Sequence, residues 1–173
     1  MRHSLKQLIR SAVFLGIATV ATGIAVPSAS ADSIGPFEPS FIKQADRALW
    51  RSEPARALEI LRGGSTQELK NRYVAEILGL ECRAYLQLDE PLEAREACLA
   101  AIAKQHNRGN WRYYNNLGVA ELHLGNYQAA EQAFTRAASL GWVSAPRKNL
   151  SLVKEIREAR NSLSGQQVAA ELH

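Results

Sequence analysis

Few residues of this chain have the type and spacing that catalysis or metal binding requires. Aspartate occurs at only three positions and histidine at four. The sequence has no HExxH motif, no GxSxG elbow, no Walker loop and no Rossmann glycine pattern. Its glutamate pairs are typical of solvated helix faces. The sequence therefore predicts no catalytic residue, no metal and no cofactor, and it indicates that the chain is not an enzyme.

The two cysteines are the remaining candidates for chemistry. Cys82 and Cys98 are 16 residues apart, which is neither the CxxC spacing of a thiol oxidoreductase nor that of a zinc site. In an oxidising compartment they could form a structural disulfide. The alternative is a pair of buried free thiols that pack as small apolar residues. The spacing leaves both interpretations open.

Residues 1–31 have the order of a secretory signal peptide. Three basic residues and no acidic one precede an apolar stretch at 12–26, and a small-residue triplet ends at Ala31. We predict cleavage between Ala31 and Asp32. The alternative is an uncleaved membrane anchor, but spanning a bilayer takes roughly 20 apolar residues and this stretch is shorter.

Cleavage would change the charge of the chain. The full chain has 21 basic and 17 acidic residues, and removal of three basic residues leaves 18 against 17, a net charge of +1. Such a balance argues against binding to nucleic acid or to anionic lipid, which takes many clustered cations. No cysteine near the cleavage site could carry a lipid. We therefore expect a periplasmic or secreted protein with no nucleic-acid partner and no membrane contact after cleavage.

The rest of the chain is predicted to be helical. Its composition, 46% hydrophobic and 22% charged, fits a single soluble domain. We predict an extended leader at 32–39, a helical domain at 40–163 and a flexible tail at 164–173. Apolar residues recur at helical spacing between glycine and proline breaks, which indicates seven helices. A capping-box pattern at 65–68 predicts the start of the third helix.

The helices repeat in pairs. The third pair carries an aromatic residue at Tyr114, then Leu117 and Gly118, and later Ala130 and Phe134. This spacing resembles the tetratricopeptide repeat, a helix pair of about 34 residues. Weaker copies lie 36 residues earlier and another 37 before that, and the turns within the three pairs align as well. The third copy departs from the family at Glu121, where a tyrosine is preferred, and at Trp142, where a proline is.

The resemblance implies a fold and a binding surface. The fold is all-α, a right-handed solenoid of three helix pairs with a C-terminal capping helix, in which Cys82 and Cys98 face each other across the second pair. In this family the first helices of the pairs line a concave groove that holds an extended peptide or a partner helix. The groove residues predicted in this way are Lys43 and Trp50 in the first pair, Arg83 and Gln87 in the second, and Arg112, Asn115, Asn116, Val119 and His123 in the third.

The resemblance also implies a function. We expect a non-catalytic scaffold or adaptor of the bacterial cell envelope that binds a peptide or helix of another envelope protein. Asn116 would hydrogen-bond the ligand backbone, and Arg83 and Arg112 would pair with a carboxylate. For these residues, the alternative is that they are simply solvated. For the function, the alternative is an accessory factor for the assembly of a secretion or pilus apparatus. A homodimer through the N-terminal pair is also compatible with the sequence.

Overall fold

Seven α-helices account for most of the residues that the structure describes. The computed structural model describes residues 39–66, 69–105 and 109–171, with side chains up to residue 162 in the last helix. Those residues form helices and no strand, so the predicted all-α architecture is confirmed. The predicted signal peptide and its cleavage site lie outside the described residues. The helices are α1 (Ser40–Trp50), α2 (Pro54–Gly63), α3 (Asn71–Gln87), α4 (Pro91–Lys104), α5 (Trp111–His123), α6 (Tyr127–Leu140) and α7 (Ser144–Glu171).

The helices stack as a repeat solenoid. Helices α1 and α2, α3 and α4, and α5 and α6 pack together as pairs, and each pair packs on the next. The first helices also contact one another, α1 against α3 and α3 against α5, while α7 packs on α6. A pair of helices cannot bury its apolar face alone, so the stack is the stable unit. None of the described helices is long and apolar enough to cross a membrane.

The turns within the three pairs have the same geometry. Ser52, Asp89 and Gly125 each adopt a positive φ, at 59°, 59° and 76°. The second residue after each of these begins the second helix of its pair, and in the first two pairs it is a proline, Pro54 or Pro91. In all three turns the residue after the left-handed one donates its N–H to the carbonyl five residues earlier, at 2.8–2.9 Å. The alignment of turns predicted from the sequence is confirmed.

The two helices of a pair contact each other through different interactions in the second and third repeats. In the third pair, the Phe134 ring lies against Gly118 so closely that a Cβ there would overlap it. In the second pair, the equivalent positions are Cys82 and Cys98, and the structure joins them in a disulfide between α3 and α4. Both cysteines are fully buried. The sequence left open whether these cysteines are bonded, and the structure contains the disulfide. This bond occupies the positions that the glycine–aromatic contact occupies in the third pair.

Two helix boundaries differ from the sequence prediction. Helix α3 begins at Asn71 and has no side-chain cap, rather than beginning at the capping-box pattern. Leu69 packs against the core of the first pair, and α3 begins only after this residue. Helix α7 continues to Glu171, through residues assigned to a flexible tail. The glutamines and alanines of that segment favour a helix, and a lone glycine does not end one.

Candidate partner-binding groove

The groove is the face shared by the first helices α1, α3 and α5, and an ion pair joins two of them. Arg83 of α3 donates to Asp46 of α1, with 2.7 Å between Nη2 and Oδ1, and also to the Asp46 carbonyl at 3.3 Å. The other carboxylate oxygen accepts from the indole N–H of Trp50 at 3.3 Å. The Arg83 guanidinium lies 6.0 Å from the centre of the Trp50 ring. The chain's own Asp46 therefore already neutralises Arg83, one of the two arginines expected to pair with a ligand.

A second arginine approaches the first from α5. Only 7% of Arg83 is exposed. Burial lowers the pKa of its guanidinium and Asp46 raises it, while the charge of Arg112 lowers it further. The Arg112 guanidinium stacks on Trp111, 5.1 Å from the ring centre. The two predicted groove arginines are thus brought together, and Arg112, which is only half-buried, is the accessible one.

Tyr113 sets the distance between α3 and α5. Its ring packs against Gly79, where an added Cβ would overlap it. Burial raises the pKa of Tyr113 to about 12, and the negative charge of Glu76 contributes, opposed by a hydrogen bond with Asn110 and by the charge of Arg112. The phenol therefore stays protonated at neutral pH. Because glycine allows this close approach, the groove side chains of α3 and α5 lie near one another.

Two of the predicted groove residues lie elsewhere. Asn115 is fully buried and accepts a hydrogen bond from the Asn149 amide of α7 at 3.1 Å. Val119 is buried in the core cluster that contains Phe134 of α6 and Val153 of α7. The assignment of Asn115 and Val119 to the groove surface is wrong in this structure, because α7 covers the side of α5 that carries them.

Asn116, the next residue after Asn115, remains a strong candidate. It is 4% exposed, and its amide oxygen is buried without a hydrogen-bond donor among the described residues. The Arg83 Nε–H is likewise buried and has no acceptor within the described part of the chain. Buried polar atoms usually have partners, and an unmade hydrogen bond costs about 1–3 kcal/mol. Such atoms occur on both of the neighbouring helices α3 and α5, where the Asn115 amide nitrogen is another.

The other predicted residues lie along the accessible part of the face. Trp50 is 51% exposed and Lys43 is half-buried. Gln87 is exposed and donates its amide N–H to the Leu49 carbonyl at 3.2 Å, at the C-terminal end of α1. A nitrogen of the His123 ring lies 3.2 Å from an Asp89 carboxylate oxygen. These residues supply the aromatic and polar surface that a ligand would touch.

Glu121, where the family prefers a tyrosine, has a structural role that the sequence analysis did not assign. Its buried carboxylate accepts from Arg95 Nε of α4 at 2.8 Å and from the Asn126 amide at 2.8 Å. It thus ties α5 to the preceding pair and to its own turn. In the second pair the equivalent residue, Tyr85, accepts from Arg62 of α2 at 3.3 Å. In both cases the residue bonds to an arginine of the previous second helix.

A cleft of about 630 Å³ lies outside this face, between α6 and α7. Arg157 and Arg160 line it together with Tyr127. Arg157 pairs with Glu131, and the Arg160 guanidinium lies 4.7 Å from the centre of the Tyr127 ring. Both arginines thus have partners within the chain. Across the described residues, no group of histidine, cysteine, aspartate and glutamate side chains could hold a metal ion.

Comparison with known families bears on the same helices. Residues 111–141, which include α5 and α6, match the family model of the tetratricopeptide repeat. The third helix pair is therefore similar to a tetratricopeptide repeat. The match lies on the third pair, which the sequence analysis identified as the strongest copy, and this repeat generally supports a role in binding other proteins. No curated protein matches the chain.

Proposed function

We propose that this chain is a non-catalytic interaction scaffold of the bacterial cell envelope, which binds a peptide segment or a helix of another envelope protein in the groove. The observation that carries the proposal is Asn116. It lies inside the matched repeat, on the first helix, and its buried amide oxygen has no donor among the described residues. A backbone N–H of a bound segment would supply that donor, after a small movement of the side chain.

The rest of the groove supports a ligand with mixed chemistry. Trp50 offers an exposed ring for an apolar side chain, and Arg112 offers a guanidinium that could meet a carboxylate. Arg83 contributes less charge than expected, because Asp46 pairs with it. We therefore expect one anchoring carboxylate on the ligand, near Arg112, rather than two.

Location in the envelope is supported by the disulfide. Structural disulfides persist in oxidising compartments such as the periplasm and are rare in the cytosol. Both cysteines are fully buried between α3 and α4, so the bond has a packing role. Export through a signal peptide cleaved between Ala31 and Asp32 agrees with this location. N-terminal sequencing of the protein from the periplasmic fraction tests it, and a sequence beginning before Asp32 would contradict the cleavage site.

The groove is tested by site-specific photo-crosslinking in cells. A photoreactive amino acid replaces Gln87, which is exposed in the groove, or Thr135, which is exposed on α6 away from it. We expect a crosslinked partner from position 87 and not from position 135. Asn116→Ala with Arg112→Ala should abolish that crosslink while circular dichroism stays unchanged. A crosslink that survives both substitutions, or one that forms only from position 135, would contradict groove binding.

The captured partner also separates the proposed adaptor from an assembly accessory factor, since the latter would yield a component of a secretion or pilus apparatus. A homodimer through the N-terminal helix pair stays a prediction. In the same experiment a homodimer would give a crosslinked product of twice the mass of the chain.

A further inference from the structure

The two long edges of the solenoid are formed by different parts of the sequence. Helices joined by a short turn run antiparallel. The described parts of the linkers between pairs, 64–66, 69–70, 105, 109–110 and 141–143, therefore lie along one edge, and the turns within pairs lie along the other. We call the first the basic edge. It consists of these linkers, the first turns of α1, α3, α5 and α7, and the last turns of α2, α4 and α6.

The basic edge carries only positive charges among its described residues. It has seven cations and no acidic residue. Five of the seven cations are exposed, and the exposed Lys148 follows them directly in α7. The five are Arg62, Lys70, Arg72, Lys104 and Arg147.

The opposite edge has the reverse balance. Its three turns, with the adjoining last turns of α1, α3 and α5 and first turns of α2, α4 and α6, carry five acidic residues and three cations. The net charge of +1 expected after cleavage averages over these two edges. That average led the sequence analysis to expect no anionic lipid partner, and the distribution of charge in the fold reopens the question.

Helix stability does not explain the basic edge. A cation in the first turn of a helix is disfavoured by the helix dipole, and an acidic residue is favoured there. The first turns of α1, α3, α5 and α7 nevertheless have no acidic residue. Lys43, Arg72, Arg112 and Arg147 occupy one each. These four charges lie where they weaken the individual helices, whereas Arg62 and Lys104 lie in last turns, where the helix dipole favours a cation. All of them add to a common positive field.

The same edge presents an exposed indole. Trp142, in the linker before α7, is 95% exposed, and the Arg147 guanidinium lies 5.5 Å from its ring centre. Two further arginine–aromatic pairs lie along this edge, at 4.5 and 5.1 Å. Tryptophan next to arginine and lysine is the composition that proteins use at the boundary between lipid headgroups and water.

We propose that the basic edge binds the surface of an anionic lipid bilayer, with Trp142 at the level of the headgroups and the exposed cations against the lipid phosphates. A bilayer requires cations along one side of the molecule and an amphipathic anchor. Single-stranded nucleic acid requires a row of exposed rings on which bases stack. Of the aromatic rings paired with arginine along this edge, only that of Trp142 is exposed, which favours the bilayer. This surface shares Lys43 and Arg112 with the groove, but Trp142 and the five exposed cations lie outside the groove, and the proposal does not depend on the groove's function.

The test is sedimentation with lipid vesicles. The full chain is expressed with its own N-terminal segment, and the form that accumulates in the cell is purified, so that all variants share one N-terminus. Vesicles of equal parts phosphatidylglycerol and phosphatidylcholine are compared with vesicles of phosphatidylcholine alone. We expect binding to the anionic vesicles only, with an affinity that falls as salt is added.

Matched variants locate the binding surface. Arg147→Glu with Lys148→Glu should weaken binding by roughly 30-fold or more, since each basic residue lost from an anionic surface removes about 1 kcal/mol, 1.4 kcal/mol is tenfold, and the new carboxylates add repulsion. Arg51→Glu with Arg56→Glu makes the same change in net charge on the opposite edge, also at exposed positions, and should have little effect. Trp142→Ala, which leaves the charge unchanged, should weaken binding roughly tenfold, because it removes a large apolar group that the interface would bury.

Three results would overturn the proposal. The first is the absence of binding to anionic vesicles. The second is an equal loss of binding in the two charge-reversal variants, which would make the attraction a property of net charge alone. The third is a wild-type affinity for a single-stranded oligonucleotide that exceeds its affinity for vesicles. Vesicle binding that is unchanged by the groove substitution Asn116→Ala would support the separation of the two surfaces.

Discussion

Removal of Asp46 should destabilise the protein far more than removal of an exposed aspartate. The Arg83 side chain is 9% exposed and that of Asp46 is 27% exposed. Asp46→Ala would leave a buried guanidinium without its counter-charge, and breaking a buried ion pair in this way costs about 3–5 kcal/mol. Water partly reaches the carboxylate, and Arg83 keeps its bond to the Asp46 carbonyl. We therefore expect the lower end, about 3 kcal/mol, a large share of the roughly 5–15 kcal/mol that stabilises a typical domain.

A second substitution tests the cause. In the Asp46→Ala background, Arg83→Met removes the stranded charge and keeps an apolar side chain of similar length. Replacement of a buried ion pair by apolar groups is often neutral or stabilising, so the double variant should recover most of the lost stability. The control is Asp89→Ala, because Asp89 is 84% exposed and its contact with His123 should contribute less than about 1 kcal/mol.

The assay is urea unfolding followed by circular dichroism at neutral pH, with the four combinations at positions 46 and 83 forming a double-mutant cycle. The reasoning is refuted if Asp46→Ala costs no more than the Asp89→Ala control. It is also refuted if the double variant is as unstable as Asp46→Ala alone, since the loss would then come from packing rather than from an uncompensated charge.

Two further predictions concern the second helix pair. Cys82→Ser with Cys98→Ser should lower the free energy of unfolding by about 3 kcal/mol, the value for a closed loop of roughly 15 residues; titration of the denatured, unreduced wild-type chain should find no free thiol, and two free thiols would disprove the bond. Burial raises the pKa of Glu81 above its usual 4.5, against the opposing charge of Arg62. The protonated carboxyl group therefore contributes stability below pH 4.5, and this stability is lost as the pH rises through the raised pKa. Glu81→Gln should therefore raise the melting temperature at pH 7 and have little effect at pH 4, and an equal gain at both pH values would contradict this assignment.

The repeat pattern could be predicted from the sequence because it depends on local chemistry. Prolines at Pro54 and Pro91 and a glycine at Gly125 mark the turns whatever surrounds them, and their spacing aligns the pairs. The same alignment placed Cys82 opposite Cys98 but left open whether the two are bonded. Each of these features is decided within one repeat or by comparison with its neighbour.

The groove was harder to predict, since it depends on contacts between distant helices. Asn115 and Asn116 are adjacent and chemically identical, yet the first bonds to Asn149 of α7 and the second has a buried oxygen without a donor among the described residues. Only the position of α7 distinguishes them. Similarly, the pairing of Arg83 with Asp46 requires the register between α1 and α3. The charge of the basic edge was hidden for a related reason, because a net charge sums over residues that the fold separates.

The disulfide between α3 and α4 lies in the central pair of the stack, and this position has a consequence for how the molecule opens. In a linear array each unit is stabilised only by its nearest neighbours, so terminal units fray first. A cross-link at the centre strengthens the unit that already has two neighbours and leaves both ends as they were. Hydrogen exchange should accordingly be slowest in α3 and α4 and fastest in α1 and α7. A partner or a membrane could then reshape either end of the protein while its centre stays folded.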